Sequence, residues 1–220
     1  TATTGLWERG IPNTTSSNSA PGIDSNNDCG DFAYVTGNAV SFDSDFDDVD
    51  NGTVSLTSPV IDLTGYIDPY VNYERWFYNF HGPVSPPDDV LEISVSNGLT
   101  TVVLEYVDGD TANFFNWHEV SIRLQDYISI TSTMQFFFKT SDISPQVNIT
   151  EAGVDHFFIA EASDLGFDEL DYAVLVYPNP VVHELMITGG RPNQVYAIVK
   201  PDGGEVLSGC MSGSEEVIDV

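Results

Sequence analysis

The stretch Leu91-Glu92-Ile93-Ser94-Val95-Ser96, together with Val120-Ser121-Ile122-Arg123-Leu124 farther along, decides the fold. In both, apolar side chains alternate with polar ones, the period of two that puts one face of a strand in a core and the other in solvent. Working outward, Tyr70–Tyr78, Thr101–Tyr106, Met134–Thr140 and Gly153–Ala160 are aromatic or β-branched runs of strand length, separated by Gly, Asp, Asn or Pro clusters. Helix signals are nearly absent. No window of a dozen residues keeps apolar positions three and four apart, and 18 glycines with 12 prolines punctuate the chain. We therefore expect residues 1–160 to form a two-sheet antiparallel β-sandwich.

Across its 220 residues the chain carries 34 Asp+Glu against 6 Lys+Arg, a formal charge of −28. Such a field repels phosphate, which argues against nucleic acid and anionic membrane as partners. With 41% apolar and 12% aromatic residues, the chain nevertheless has the material to fold. No run approaches the roughly 18 apolar residues of a membrane span, so none is expected. The start, Thr1-Ala-Thr-Thr-Gly-Leu-Trp7, has neither a basic nor an apolar leader segment, and any export signal is expected to have been removed already. Cys29 and Cys210 are too few for a disulfide framework; they read as two thiols or as one pair, and leave the compartment open.

A composition shift follows at 161–171, EASDLGFDELD, which reads either as a solvated acidic linker or as a short turn packed through Leu165, Phe167 and Leu170. Then come Tyr172–Val176 and Tyr177-Pro178-Asn179-Pro180, whose prolines forbid continuous ladder bonding and mark a domain entry. Short strands are expected at Glu184–Thr188, Gln194–Lys200 and Glu205–Ser208, with a turn at Asp202-Gly203-Gly204. The span 172–220 is thus a second, smaller β unit.

The densest chemical feature is Asp43-Ser-Asp45-Phe-Asp47-Asp48-Val-Asp50-Asn51-Gly52. Carboxylates packed this closely repel unless a cation neutralises them, and oxygen-only ligands suit Ca²⁺. An EF-hand is excluded, because counting from Asp45 puts Leu56 where the twelfth-position Glu belongs. The alternative is a solvated acidic loop. Asp155 lies in an otherwise apolar strand, where an ionised carboxylate needs a cation or an arginine such as Arg75. Glu8, beside Arg9, is a similar case, and a shared ion would staple the first strand to the last. The candidate calcium ligands are Glu8, Asp47, Asp48, Asp50 and Asp155.

Catalytic constellations are sparse. His81, His118, His156 and His183 are scattered, with no HExxH, no cysteine cluster and no Gly-x-Ser-x-Gly. Acid pairs such as Glu74 with Glu92 could imitate a glycosidase dyad, although 34 acids make chance pairs common. Trp76, Tyr78 and Trp117 are candidate ligand-binding aromatics for a sugar or peptide, or else core.

Two resemblances add to this. Tyr177-Pro178-Asn179-Pro180, Leu185-Met-Ile187, Val195–Val199, Pro201-Asp-Gly-Gly-Glu-Val206 and Val217-Ile-Asp219 resemble the type A C-terminal sorting domain of the type IX secretion system of Bacteroidetes. That family implies a small Ig-like sandwich, here incomplete because the sequence stops at Val220 with the family's last hairpin missing, and recognition by a secretion translocon or shuttle. Residues 1–160 are similar to a MAM-like jelly-roll module of secreted proteins from the same bacteria, through Thr1–Gly10, Asp28-Cys-Gly30, Tyr34–Asn38, Asp47–Gly52 with Leu56-Thr-Ser-Pro59, Tyr73–Trp76 and Glu151–Asp155. The implication is a non-catalytic, calcium-bound accessory module. Asp110-Thr111-Ala112 is similar to the O-glycosylation sequon of Bacteroidetes, implying a glycan on Thr111.

Taken together, the chain is expected to be all-β, an antiparallel jelly-roll sandwich followed by a small Ig-like one. Its expected role is an extracellular, calcium-stabilised binding module of a larger secreted or cell-surface protein, with a glycan or protein ligand. The alternatives are a self-assembling subunit of a surface adhesin or filament and a carboxylate-based glycoside hydrolase.

Overall fold

The computed structural model describes residues 1–15, 20–38, 46–80, 88–108, 116–143, 149–165, 174–178, 183–190, 192–200 and 204–219. The chain packs as two units, Thr1–Ser25 with Asp31–Leu165 and Asn26–Gly30 with Gly166–Val220. Among the described residues the only helical pieces are short 3-10 turns at Leu124–Asp126 and Ala162–Leu165.

The first unit holds β1 (Trp7–Gly10), β2 (Ala33–Thr36), β3 (Gly52–Thr57), β4 (Pro69–Phe80), β5 (Val90–Ser96), β6 (Thr101–Asp108), β7 (His118–Arg123), β8 (Gln135–Asp142) and β9 (Ile149–Glu161). One sheet runs β1-β2-β9-β4-β7 and the other β3-β8-β5-β6, with every pairing antiparallel. This is the all-β sandwich that the alternation predicts. Leu91, Ile93 and Val95 of β5 all point inward and are fully buried, joined by Leu104 and Val107 of β6 and Phe136 and Phe138 of β8. Against them stand Val71, Tyr73 and Phe77 of β4 and Ala152 and Val154 of β9. Each large buried side chain contributes about 1.5–3 kcal/mol, whereas an exposed like-charge pair costs well under about 1 kcal/mol, so this core outweighs the surface repulsion of an acidic chain.

Two local features orient the rest. Between Asn72 and Glu74 the register of β4 with β9 slips, and His156 takes a left-handed backbone (φ 47°) at that bulge. Ala152 and Val154 face the core before it and Phe157 and Ile159 pack there after it, which leaves Asp155 on the outer face. On β4 the odd residues point inward: Arg75 reaches across to pair with Glu105 of β6, which also accepts a 2.9 Å hydrogen bond from the Tyr73 hydroxyl. The even residues Trp76 and Tyr78 point outward, yet are buried in a second core with Ala20, Ala33 and Val35, against which Trp117 and Ile149 pack.

The second unit holds β10 (Leu175–Tyr177), β11 (Glu184–Thr188), β12 (Val195–Val199), β13 (Glu205–Cys210) and β14 (Glu215–Asp219). They form a three-stranded sheet, β10-β11-β14, and a hairpin, β12-β13. The hairpin is closed by Lys200 N–H donating to the Gly204 carbonyl (2.8 Å), while residues 201–203 of its expected turn lie outside the described residues. Leu185, Ile187, Met211 and Ile218 form the core, with Tyr196, Ile198 and Leu207 packed on it. Cys29 and Cys210, left open by the sequence, form a disulfide within this unit, their Cα atoms 5.8 Å apart. Of the acidic span at 161–171, Glu161 closes β9 and 162–165 make a 3-10 turn; 166–171 lie outside the described residues.

Candidate metal centre

β9 presents Glu151, Gly153 and Asp155 on the outer face of its sheet. Gly153 is required there because a Cβ would run into the Trp76 indole. Asp155 stands cross-strand from Glu74 of β4, and both are buried although both point away from the main core. The loop from Ala20 to Ser25 covers this face. It is pinned where the Trp117 indole N–H donates to the Ile23 carbonyl (2.9 Å), and two residues later Ser25 N–H donates to Asp155 Oδ2 (3.0 Å).

Between those anchors lies Asp24, which brings a carboxylate oxygen to within 4.8 Å of one from Asp155. Two carboxylates this close, one of them 7% exposed, repel strongly in a low dielectric unless they share a proton or a cation. Oxygen donors alone are the preference of a hard cation such as Ca²⁺. The arginine alternative for Asp155 is not what the fold provides, since Arg75 occupies the opposite face of β4 with Glu105. Nearby, His156 Nδ1 lies 3.5 Å from Glu74 Oε1, an ion pair only when the imidazole is protonated. Burial, and then the charge of Glu151, push the Tyr78 hydroxyl up from its ordinary pKa.

The remaining predicted ligands go elsewhere. Asp48 is buried and its Oδ2 accepts from Thr150 N–H (3.2 Å). Asp50 Oδ2 accepts from the Thr4 hydroxyl (3.1 Å), and the Asp50 carbonyl accepts from Thr3 N–H (2.8 Å). The Asp47 carbonyl abuts Gly37, whose left-handed backbone (φ 49°) leaves no room for a Cβ. Glu8 is exposed on β1, with β2 between it and β9. Among the described residues, none of these four belongs to a group of three acids around one point. Asp43 and Asp45 lie outside the described residues.

Trp76 and Tyr78 are core residues rather than a platform, and the Trp117 indole is committed to the loop. Tyr177 and Pro178 are exposed at the end of β10, while Asn179, Pro180 and Thr111 lie outside the described residues. Sequence reasoning missed Asp24. Its signal was the loop Asp24-Ser-Asn-Asn-Asp28, two acids and two amides in five residues, overshadowed by the denser run at 43–52. Compared with known proteins, the chain matches no family model and no curated sequence.

Proposed function

We propose that the chain is a non-catalytic, calcium-stabilised binding module of a larger secreted or cell-surface protein. In this reading it is a MAM-like sandwich exported through a type IX sorting tail that a translocon or shuttle recognises. The observation that carries the calcium part is the pairing of Asp24 with Asp155, two carboxylates brought together on one face by a loop anchored at Trp117 and Ser25. The Cys29–Cys210 disulfide supports an extracellular setting, since such bonds persist in oxidising compartments. Among the described residues no helix is long and apolar enough to cross a membrane.

The test is thermal unfolding of the intact chain in millimolar Ca²⁺ and in chelator. Wild type should unfold several degrees higher in calcium, and Asp24→Asn and Asp155→Asn should each remove part of that rise while changing little in chelator. Equal losses in both conditions would sink the calcium assignment.

A second reading, a self-assembling surface subunit, draws on the tail sheet. There Tyr177, Met186 and Val217 stand in register on one face with Leu175 nearby, and Leu175, Tyr177 and Val217 are exposed. Solution mass separates the two: a monomer at micromolar concentration favours the module, a large assembly the subunit.

A further inference from the structure

The sheet β3-β8-β5-β6 turns one face to the core and the other to solvent, and its solvent face has an unusual composition for this chain. Because Leu91, Ile93 and Val95 point inward, Glu92, Ser94 and Ser96 point out, and the same parity turns Phe137 and Lys139 of β8 outward with Ser55 and Thr57 of β3. Antiparallel pairing lines these side chains up in rows across the sheet. One row is Ser55, Lys139, Glu92 and Tyr106, and the next is Thr57, Phe137, Ser94 and Val103.

Although the sequence holds 34 acids, Glu92 is the one that the described residues place on this face away from the strand ends. It stands between Lys139, one of only six basic residues, and Tyr106. The Tyr106 hydroxyl donates to Glu92, whose charge raises its pKa above the ordinary value, so the ring, 61% exposed, is drawn across the β5–β6 pair. Solvent-facing sheets usually stay soluble through scattered charges. A face that replaces them with hydroxyls and two aromatic rings, on a chain with acids to spare, has the charge-depleted composition found at the centre of a contact surface.

We propose that this face binds an uncharged polysaccharide chain. Serine and threonine hydroxyls both donate and accept, as sugar hydroxyls do, and Phe137 and Tyr106 offer ring surface to the apolar C–H face of a pyranose. Serine is depleted in protein–protein interfaces, which favours a glycan over a protein as the occupant. A concave site closes round a small molecule, whereas an open sheet face can hold successive units of a polymer. The charge of −28 repels sulfated and uronic-acid polymers and leaves neutral ones. The proposal rests on the reading of the chain as a binding module and supplies its ligand class. It does not involve the Asp24–Asp155 pair, which belongs to the other sheet and its covering loop.

The experiment is native affinity electrophoresis of the full chain in gels containing hydroxyethylcellulose, galactomannan or mixed-linkage β-glucan, with chondroitin sulfate as the polyanionic control, in calcium and in chelator. At least one neutral polymer should retard wild type in both conditions, and chondroitin sulfate should not. Tyr106→Ala and Phe137→Ala should each weaken that binding about 3- to 10-fold. Ser55→Arg, which raises a long side chain on the same row, should weaken it as much or more. Tyr127→Ala removes an exposed aromatic outside this face and should bind as wild type does. Ser55 and Tyr106 are exposed, so their variants should keep the wild-type Tm, and a loss of binding there reports the face and not the fold. The proposal is overturned if no neutral polymer retards wild type, which leaves the module a protein ligand, or if chondroitin sulfate retards it equally. It is overturned too if Tyr106→Ala and Ser55→Arg bind as wild type, if Tyr127→Ala loses as much as they do, or if binding vanishes in chelator; the chain would then remain a glycan-binding module with its site elsewhere.

Discussion

The two units are built on the same alternation but not on the same scale. Among the described residues the sandwich buries sixteen in its main cluster, from Leu63 to Val154, whereas the tail buries four, Leu185, Ile187, Met211 and Ile218. The difference teaches where each can spend stability. The large core tolerates an inward row that turns polar at Asn79 and Asp142, a bulge at His156 and a second buried layer beneath a loop. The small one has no such margin, for a β unit of this size buries too little apolar surface to be comfortable alone, and it is the unit that holds the disulfide.

The strongest way to break the comparison is Phe136→Ala. Phe136 is fully buried and meets Phe157 edge-on at 5.3 Å, so its loss should cost about 3–5 kcal/mol. Calorimetry should show the sandwich transition falling and a separate tail transition standing still. Leu185→Ala should do the reverse, abolishing the tail transition and sparing the sandwich. If either variant moves both transitions equally, the two units are one cooperative structure and the contrast drawn above is wrong.

Much of that contrast was legible beforehand, for reasons that differ by residue. Leu91, Ile93 and Val95 could be placed because alternation is a local signal that burial then honours. The need of Asp155 for a partner was also readable, from one acid in an apolar run. Its neighbour was not, because Asp24 arrives from a loop 131 positions away, brought there by Trp117 and Ser25. Density alone did not place the acids of 43–52: Asp48 and Asp50 sit two apart yet turn toward Thr150 and Thr4 respectively, since local hydrogen-bond donors, not sequence spacing, decide where a carboxylate points. For Trp76 and Tyr78 the sequence left a binding platform and core both open. Their outward parity suggests exposure, and only the covering loop makes them core.

The next lever is the disulfide. When only the tail unfolds, the bond to Cys29 restrains roughly 45 residues of chain between Leu165 and Cys210, which in the chain-entropy picture is worth about 2–4 kcal/mol. Reductant, or Cys210→Ser, should therefore lower the tail transition by that much and leave the sandwich transition unchanged. A tail transition indifferent to reduction would mean that the four-residue core suffices, and would shrink the difference between the units.

The smallest expected effect separates the units by pH. In the tail, Glu216 accepts from the Ser212 hydroxyl (2.6 Å) and from Ser212 N–H (2.8 Å), and these bonds hold its carboxyl below the ordinary 4.5. A carboxylate depressed in the folded state lends stability that is present above its unfolded pKa and disappears as pH falls through the lower folded value. Acidification also has an opposite and larger consequence, since neutralising the acids of a −28 chain relieves repulsion throughout the fold. The raw pH profile of wild type therefore cannot isolate Glu216, but its difference from Ser212→Ala can. That difference should be constant near neutrality, shrink below about pH 4.5, and appear only in the tail transition. A difference that persists unchanged to about pH 3 would show that Ser212 stabilises the β13–β14 connection through its turn geometry and not through the charge on Glu216.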